Sequence, residues 1–350
     1  MFFIERHSCD SLSQDHLIST QLKMEKIKTA IVGFGRWGQL LFNAGKHCEK
    51  LDVTAVVTRT PSKVQSFCSD AGLSLTDDLD KVLADESIEA LVIATPHTQH
   101  YEQLLKAASA AKHVYCEKPF TLQGDQASQA IEALADNGCK VAIGHNRRFA
   151  PNTLAMKKMI EQGWFGDLVH IDGVFHAHMA QSKGRWRDSV AESPAGGMTS
   201  LGIHVVDMFI NLMGPVKGLR ASSDRIAPSC AFDDNTMASM TFDSGARGQL
   251  TTITSTAMRW QIALYGTNGW AELRGLDQLV IQPLEGAYEE IHYPGFAYPG
   301  EASITAALDA FATDIQGGEP FAVSPQEIVH GTRVLQTIIR SAANGQYLLV

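Results

Sequence analysis

From Met24 to about Asn146, short apolar runs alternate with amphipathic stretches. The runs "IKTAIVGFG", "LDVTAVVTR", "IEALVIATP", "KHVYCEKPF" and "CKVAIGHN" are brief and rich in β-branched residues, as strands buried on both faces must be. Between them, "HYEQLLKAASAAK" and "GDQASQAIEALADNG" carry helical spacing, and the second closes on Gly138 where a helix C-cap belongs. Strand alternating with helix predicts a parallel, doubly wound sheet.

The pattern changes after Asn146. "PNTLAMKKMIEQG" reads as a helix with Pro151 near its start, and "LVHIDGVFHAHM" alternates like a strand with one polar face. "SPAGGMTSLGIHVVDMF" follows, its apolar residues at helical spacing after a proline and two glycines. Short strands then come at close intervals ("GLRASSDRI", "TMASMTF", "ARGQLTTITST", "WQIALYGT", "WAELRG", "QLVIQPL"), separated by turns such as "DSGA" and "GTNG". This predicts a largely antiparallel sheet with one face packed on helices. Two closing helices are expected at about Glu301–Ile315 and Pro325–Ala343. The chain thus divides into a disordered extension (1–23), a first α/β domain (24–146) and a second α/β domain (147–350). The fold class is α/β, a doubly wound parallel sheet followed by a large, mostly antiparallel open sheet.

Composition narrows the function. The net charge of −9 with no long basic run argues against nucleic acid as the main partner. No apolar stretch approaches the roughly 18 residues a membrane span needs. The N-terminal segment is too polar for a secretory signal, with Glu5, Asp10 and Asp15 against a transit peptide. Six scattered cysteines with no C-x-x-C pair suit a reducing compartment, hence the cytoplasm, and speak against a zinc ribbon.

The chemistry begins at "AIVGFGRWGQLLFNA", where Gly33, Gly35 and Gly38 form G-x-G-x-x-G between a strand and a helix. The first glycine makes the turn, and the second lets backbone N–H groups approach a pyrophosphate seated on the helix N-terminus. Arg36 and Trp37, inside the motif, are placed at the cofactor with them. The second strand ends in Thr58 and Arg59 with no carboxylate, while Asp52 lies at its start. A hydroxyl beside a guanidinium suits a 2′-phosphate, which favours NADP over NAD. In "ATPHTQH", Thr95 and Pro96 form a loop at the carboxyl end of a strand, where ligands bind. His97 and His100 either approach the cofactor or cap the next helix. "HVYCEKPF" delivers Glu117 and Lys118 to the same sheet edge, where a lysine can donate to a substrate oxygen. On the later helix, His204 is suited to proton transfer near neutral pH, and Asp207, three residues on, either orients that ring or packs against the first domain.

Taken in this order and spacing, Gly33-x-Gly35-x-x-Gly38, "ATPHTQH", Glu117-Lys118-Pro119, "GHNRRFAP", "GWFGDLV" and "GGMTSLGIHVVD" resemble the Gfo/Idh/MocA oxidoreductases, over nearly the whole chain from Met24. The resemblance implies a Rossmann domain, a C-terminal domain whose open sheet serves oligomer contacts in a homodimer or homotetramer, and sugar, cyclitol or polyol substrates. It also implies that Lys118 is the catalytic lysine and His204 the acid/base. In one respect the chain departs from that pattern. The family commonly carries an acid one turn before this histidine, and here the position is Ser200, which can hydrogen-bond a substrate hydroxyl but cannot stabilise an imidazolium by charge.

Arg147, Trp186 and Arg187, together with Lys118, Ser200 and His204, are the candidate substrate contacts, since a Trp–Arg loop can stack on a sugar ring. His176 and His178 share a strand face, but without a third ligand at metal spacing no metal is expected. The expected activity is hydride transfer between nicotinamide and a sugar-like alcohol or ketone. Two other readings stay open: a redox-neutral glycoside hydrolase with transient NAD oxidation, and a dinucleotide-sensing regulator without turnover.

Overall fold

The computed structural model describes residues 25–227, 230–296 and 300–350; the N-terminal extension expected at 1–23 lies outside the described residues. The first sheet has six parallel strands: β1 (Ile27–Val32), β2 (Leu51–Val57), β3 (Ser74–Thr76), β4 (Ala90–Ile93), β5 (His113–Cys116) and β6 (Val141–Ile143). Their order is β3-β2-β1-β4-β5-β6. Every residue of β4 is buried, as are Thr29–Val32 of β1, because helices cover both faces and leave no side for polar alternation. Those helices are α1 (Arg36–Gly45), α2 (Gln65–Asp70), α3 (Leu79–Leu83), α4 (His100–Ser109) and α5 (Gly124–Asp136). The strand order reverses between β1 and β4, so the crevice for a ligand opens at their carboxyl ends.

A helix, α6 (Pro151–Glu161), leads into the second sheet of nine strands. In chain order they are β7 (Leu168–His176), β8 (Val216–Asp224), β9 (Asn235–Phe242), β10 (Arg247–Ile253), β11 (Arg259–Gly266), β12 (Gly269–Arg274), β13 (Gln278–Pro283), β14 (Glu289–His292) and β15 (Leu348–Leu349). The spatial order is β14-β13-β12-β11-β7-β10-β9-β8-β15, antiparallel throughout except where β7 meets β10. Strict alternation, as in β9 with Thr236, Ala238, Met240 and Phe242 buried, puts one face against the helix α7 (Ile203–Met213). The strand β7 ends at His176, so His178 lies beyond it rather than on a shared strand face, and His176 Nδ1 accepts the Ile253 N–H at 3.1 Å.

The closing helices tie the two sheets together. In α8 (Glu301–Ile315), Ile304, Ala307, Leu308 and Phe311 join the core of the first sheet. The next helix, α9 (Pro325–Asn344), gives Ile328 to that core and Val334, Leu335 and Ile338 to the other. A capping box fixes where α9 starts: Ser324 Oγ accepts the Glu327 N–H, and Glu327 Oε2 accepts the Ser324 N–H at 2.8 Å. Among the described residues, no helix is long and apolar enough to cross a membrane.

Candidate active site

The glycine turn after β1 is built as a phosphate cradle. Gly33 has φ +96°, and a Cβ there would meet Ala94 and Thr95 backbone atoms at 2.7–2.9 Å; one on Gly38 would lie 2.1 Å from the Gly33 carbonyl oxygen. A Cβ on Gly35 would meet nothing within 4 Å, so this glycine keeps space open rather than relieving a clash. Gly35 caps α1 with no side-chain bond to the first turn, and that turn holds no acidic residue. The orphan N–H groups of a helix start and its dipole thus face open space, which fits a pyrophosphate. At the carboxyl end of β2, Thr58 is partly buried and Arg59 exposed, while Asp52 sits at the opposite end of the strand.

The loop after β4 is tied into the protein. Thr95 Oγ1 donates to Gln103 Oε1 at 2.6 Å, and Pro96 precedes a short turn over His97–Gln99. His97 is buried and its Nδ1 donates to the Glu192 carbonyl at 2.7 Å. His100 is fully buried with a backbone carbonyl at each nitrogen, Pro119 at 2.9 Å and Thr95 at 3.1 Å. Both imidazoles are desolvated and their pKa values fall, so each is neutral with a single N–H, and His100 donates to only one of its two carbonyls.

Lys118 follows β5. Its Nζ donates to the Ser200 carbonyl at 2.8 Å, spanning the cleft between the two sheets. Part of the side chain still opens to the cleft, but protein atoms crowd the ammonium and push its pKa down to about 7. Glu117 draws it upward; Arg187 and Arg147 repel it further down. Burial raises the Glu117 pKa, against the attraction of Lys118. The Trp37 indole N–H also faces that carboxylate, though it falls short of a formed hydrogen bond.

Ser200 does not stand where a regular helix would put it. Met198–Gly202 form a wider, π-helical turn before α7 begins at Ile203. Such turns are rare and recur at functional sites, and here the carbonyl of Ser200, within the turn, accepts from Lys118. The Ser200 hydroxyl lies 3.7 Å from the Met179 sulfur instead of facing His204. The expected serine one turn below the histidine therefore contributes its backbone, and the change in helical pitch is the reason.

His204 is buried, with the His145 ring 5.7 Å away edge to face and Phe175 at 6.0 Å. Desolvation, then the cations Arg147 and Lys118, hold its pKa well below the imidazole range, so the ring is neutral at pH 7 and holds an acquired proton only weakly. Asp207 does not touch it. Asp207 Oδ1 lies 2.9 Å from Arg148 Nε and 2.8 Å from Nη2, and Arg148 Nη1 reaches Glu327 at 2.8 Å. The second arginine of "NRRF" is thus a buried tie between α7 and the start of α9. Its neighbour Arg147 lies between the Phe175 and Trp260 rings, 4.6 Å from each. Arg147 also borders a cavity of about 490 Å³ lined by Trp260, Arg259, Glu272 and Arg274.

The loop before the glycines folds back toward the first sheet. Trp186 packs edge-on against His97 at 4.9 Å, and Arg187 stacks on Trp186 at 4.1 Å while its charge acts on Glu117 and Glu192. Both residues therefore meet the loops after β4 and β5. Sequence reasoning did not single out His145, Trp260 or Glu272. His145 was visible inside "GHNRRFAP", but its partners come from α7 and the β5 loop, distant in sequence.

With this geometry in hand, comparison with known proteins is direct. Residues 27–145 match the model described as "Oxidoreductase family, NAD-binding Rossmann fold", and 153–272 match the "GFO/IDH/MocA C-terminal domain". A scyllo-inositol 2-dehydrogenase (NADP(+)) of Bacillus subtilis is 27% identical over 209 residues, 59% of this chain and 57% of that one. An inositol 2-dehydrogenase/D-chiro-inositol 3-dehydrogenase of Lactiplantibacillus plantarum is 33% identical over 149 residues, covering 41% and 43%. The matched segments thus span about half the length of these curated relatives. Among solved structures, levoglucosan dehydrogenase in complex with NADH and levoglucosan superposes with a TM-score of 0.83 at 22% identity, over 93% of this chain and 100% of that one. An aldose-aldose oxidoreductase from Caulobacter crescentus gives the same TM-score, identity and coverage. At such identities the structural likeness is one of fold.

Proposed function

The chain belongs to the Gfo/Idh/MocA oxidoreductase family, and from that premise we propose that it is an NADP-preferring dehydrogenase acting on a sugar, cyclitol or polyol alcohol or the matching ketone. The observation that carries the reading is the bond from Lys118 Nζ to the Ser200 carbonyl. It sets a lysine of lowered pKa against the turn that begins the helix of a neutral, buried histidine, at the carboxyl ends of the strands where α/β sheets bind ligands.

Gly33, Gly35, Gly38 and the uncapped start of α1 would hold the dinucleotide pyrophosphate, with Arg36 and Arg187 near it, and Thr58 and Arg59 would take the adenosine ribose and its 2′-phosphate. The nicotinamide, when bound, accepts or returns a hydride. Lys118 has three donors, so it can bind a substrate oxygen in place of or beside the Ser200 carbonyl. His204, neutral, takes the hydroxyl proton in oxidation and returns it in reduction. A lysine with a pKa near 7 set beside a buried neutral histidine favours turnover over a sensing role. The likeness to an NADP(+)-dependent inositol dehydrogenase supports the cofactor and substrate class.

Fluorescence titration with NADPH and NADH tests the cofactor. NADPH binds more tightly, and Arg59→Ala removes most of that preference while leaving NADH binding unchanged. Tighter NADH binding by the wild type would refute it.

A further inference from the structure

The acid missing at position 200 leaves His204 without a carboxylate on its own helix turn, yet one lies close by. Asp207 gives Oδ1 to Arg148, while Oδ2 is buried without a hydrogen-bond partner and lies 4.0 Å from His145 Nδ1. His145 Nδ1 and His204 Nδ1 are likewise buried and unpartnered. Three neighbouring titratable side chains thus each keep one unused polar atom. Buried polar groups are nearly always paired, so each such exception calls for a reason. A tie between α7 and α9 accounts for Oδ1 of Asp207 and for Arg148, but not for Oδ2 or the two rings.

We propose that His145, held by Asp207, is the positioning residue for His204, and that this pair stands in for the acid absent from position 200. The proposal rests on the oxidoreductase reading above. In oxidation the substrate O–H bond breaks and an N–H bond forms on His204. A proton then passes from His204 to His145, where the free oxygen of Asp207 offsets the charge, and leaves His145 to water before the next turnover; reduction runs the same transfers backwards. No electrons move in this relay, and no further reactant is needed.

The groups facing His145 are Asp207 and His204 from α7, Arg147 and Arg148 from its own turn, and Lys118 from the loop after β5. Burial dominates; Asp207 opposes it, while Arg148, Lys118 and Arg147 add to it, and its pKa falls to about 4. His145 is therefore neutral between turnovers, with one ring N–H, and Asp207 favours placing it on Nδ1.

Nitrogen-15 NMR of histidine-labelled, NADPH-bound enzyme and kinetics of His145→Phe test this together. In the wild type His145 carries its proton on Nδ1 at neutral pH. In His145→Phe, kcat falls about 100-fold, the contribution of one acid/base group. KM stays within about threefold and the solvent deuterium isotope effect on kcat rises, as a slowed proton step requires. NADPH affinity is unchanged. His145→Asn, which keeps a donor toward Asp207 but cannot take a proton, folds as the wild type and shows the same loss. A proton on Nε2 of His145, or a kcat within about twofold of wild type in either folded variant, overturns the proposal. If the wild type turns over no polyol or ketone, the functional reading falls, and the NMR alone decides whether Asp207 holds His145.

Discussion

Lys118 is the residue on which the proposed proton chemistry depends most visibly. Its pKa of about 7 means that half the ammonium is lost near neutrality. Carbonyl reduction uses the protonated form to polarise the substrate oxygen, so kcat/KM for reduction falls as pH rises through about 7. His204 adds no inflection at the ordinary imidazole value, because its depressed pKa keeps it neutral there. Lys118→Met, which preserves the aliphatic stem, lowers kcat by about 10²–10⁴-fold and abolishes the inflection near 7. A pH profile that keeps its midpoint in the variant would assign the titration to another group. The residue types at this site were plain in the sequence: a lysine at a strand end, a histidine on an apolar helix. Their partners were not. Ser200, Asp207 and His145 acquire their roles from a helical pitch and a domain packing that residue spacing does not encode.

Two elements position the chemistry, and each can be separated from it. At the start of α1, Gly35 and Gly38 occur in one motif for opposite reasons. Gly38→Ala drives a methyl into the Gly33 carbonyl and destabilises the fold by about 1–3 kcal/mol. Gly35→Val meets no protein atom at Cβ, so denaturant unfolding is little changed while dinucleotide affinity falls by at least about tenfold, because the pyrophosphate space is filled. The second element is α9. Its capping glutamate, Glu327, also binds Arg148, so the start of this helix reaches the site through Asp207. Arg148→Met leaves Asp207 buried without its counter-charge, and urea unfolding should show a loss of about 3–5 kcal/mol. Element types were legible wherever periodicity was strong, as in β1, β4, α5 and both closing helices. The three-residue β3 was not, because Ser74–Thr76 is too short and too exposed to show a period. The π-helical turn at Met198–Gly202 was read as ordinary helix, since its apolar spacing continues smoothly into α7.

At the scale of the molecule, the two sheets meet at a cleft crossed by the bond from Lys118 to Ser200 and by the buried Arg148 ties. The 177–197 loop adds a third bridge: Glu192 accepts the Thr98 N–H at 3.2 Å, and Trp186 rests on His97. The Trp–Arg pair in this loop suggested a sugar platform in the sequence. It lies against the loops after β4 and β5, a placement that no local pattern could reveal in a segment without periodicity. The central claim is net hydride transfer to or from a polyol, carried by Lys118 and His204. Following reduced-nicotinamide absorbance with NADP across a panel of cyclitols, sugars and sugar alcohols tests it most directly, in the wild type beside Lys118→Met. NADPH forms only with both substrate and enzyme present, and its formation is lost in the variant. Tight NADPH binding with no net absorbance change for any substrate in either direction, or turnover undiminished in Lys118→Met, would contradict it.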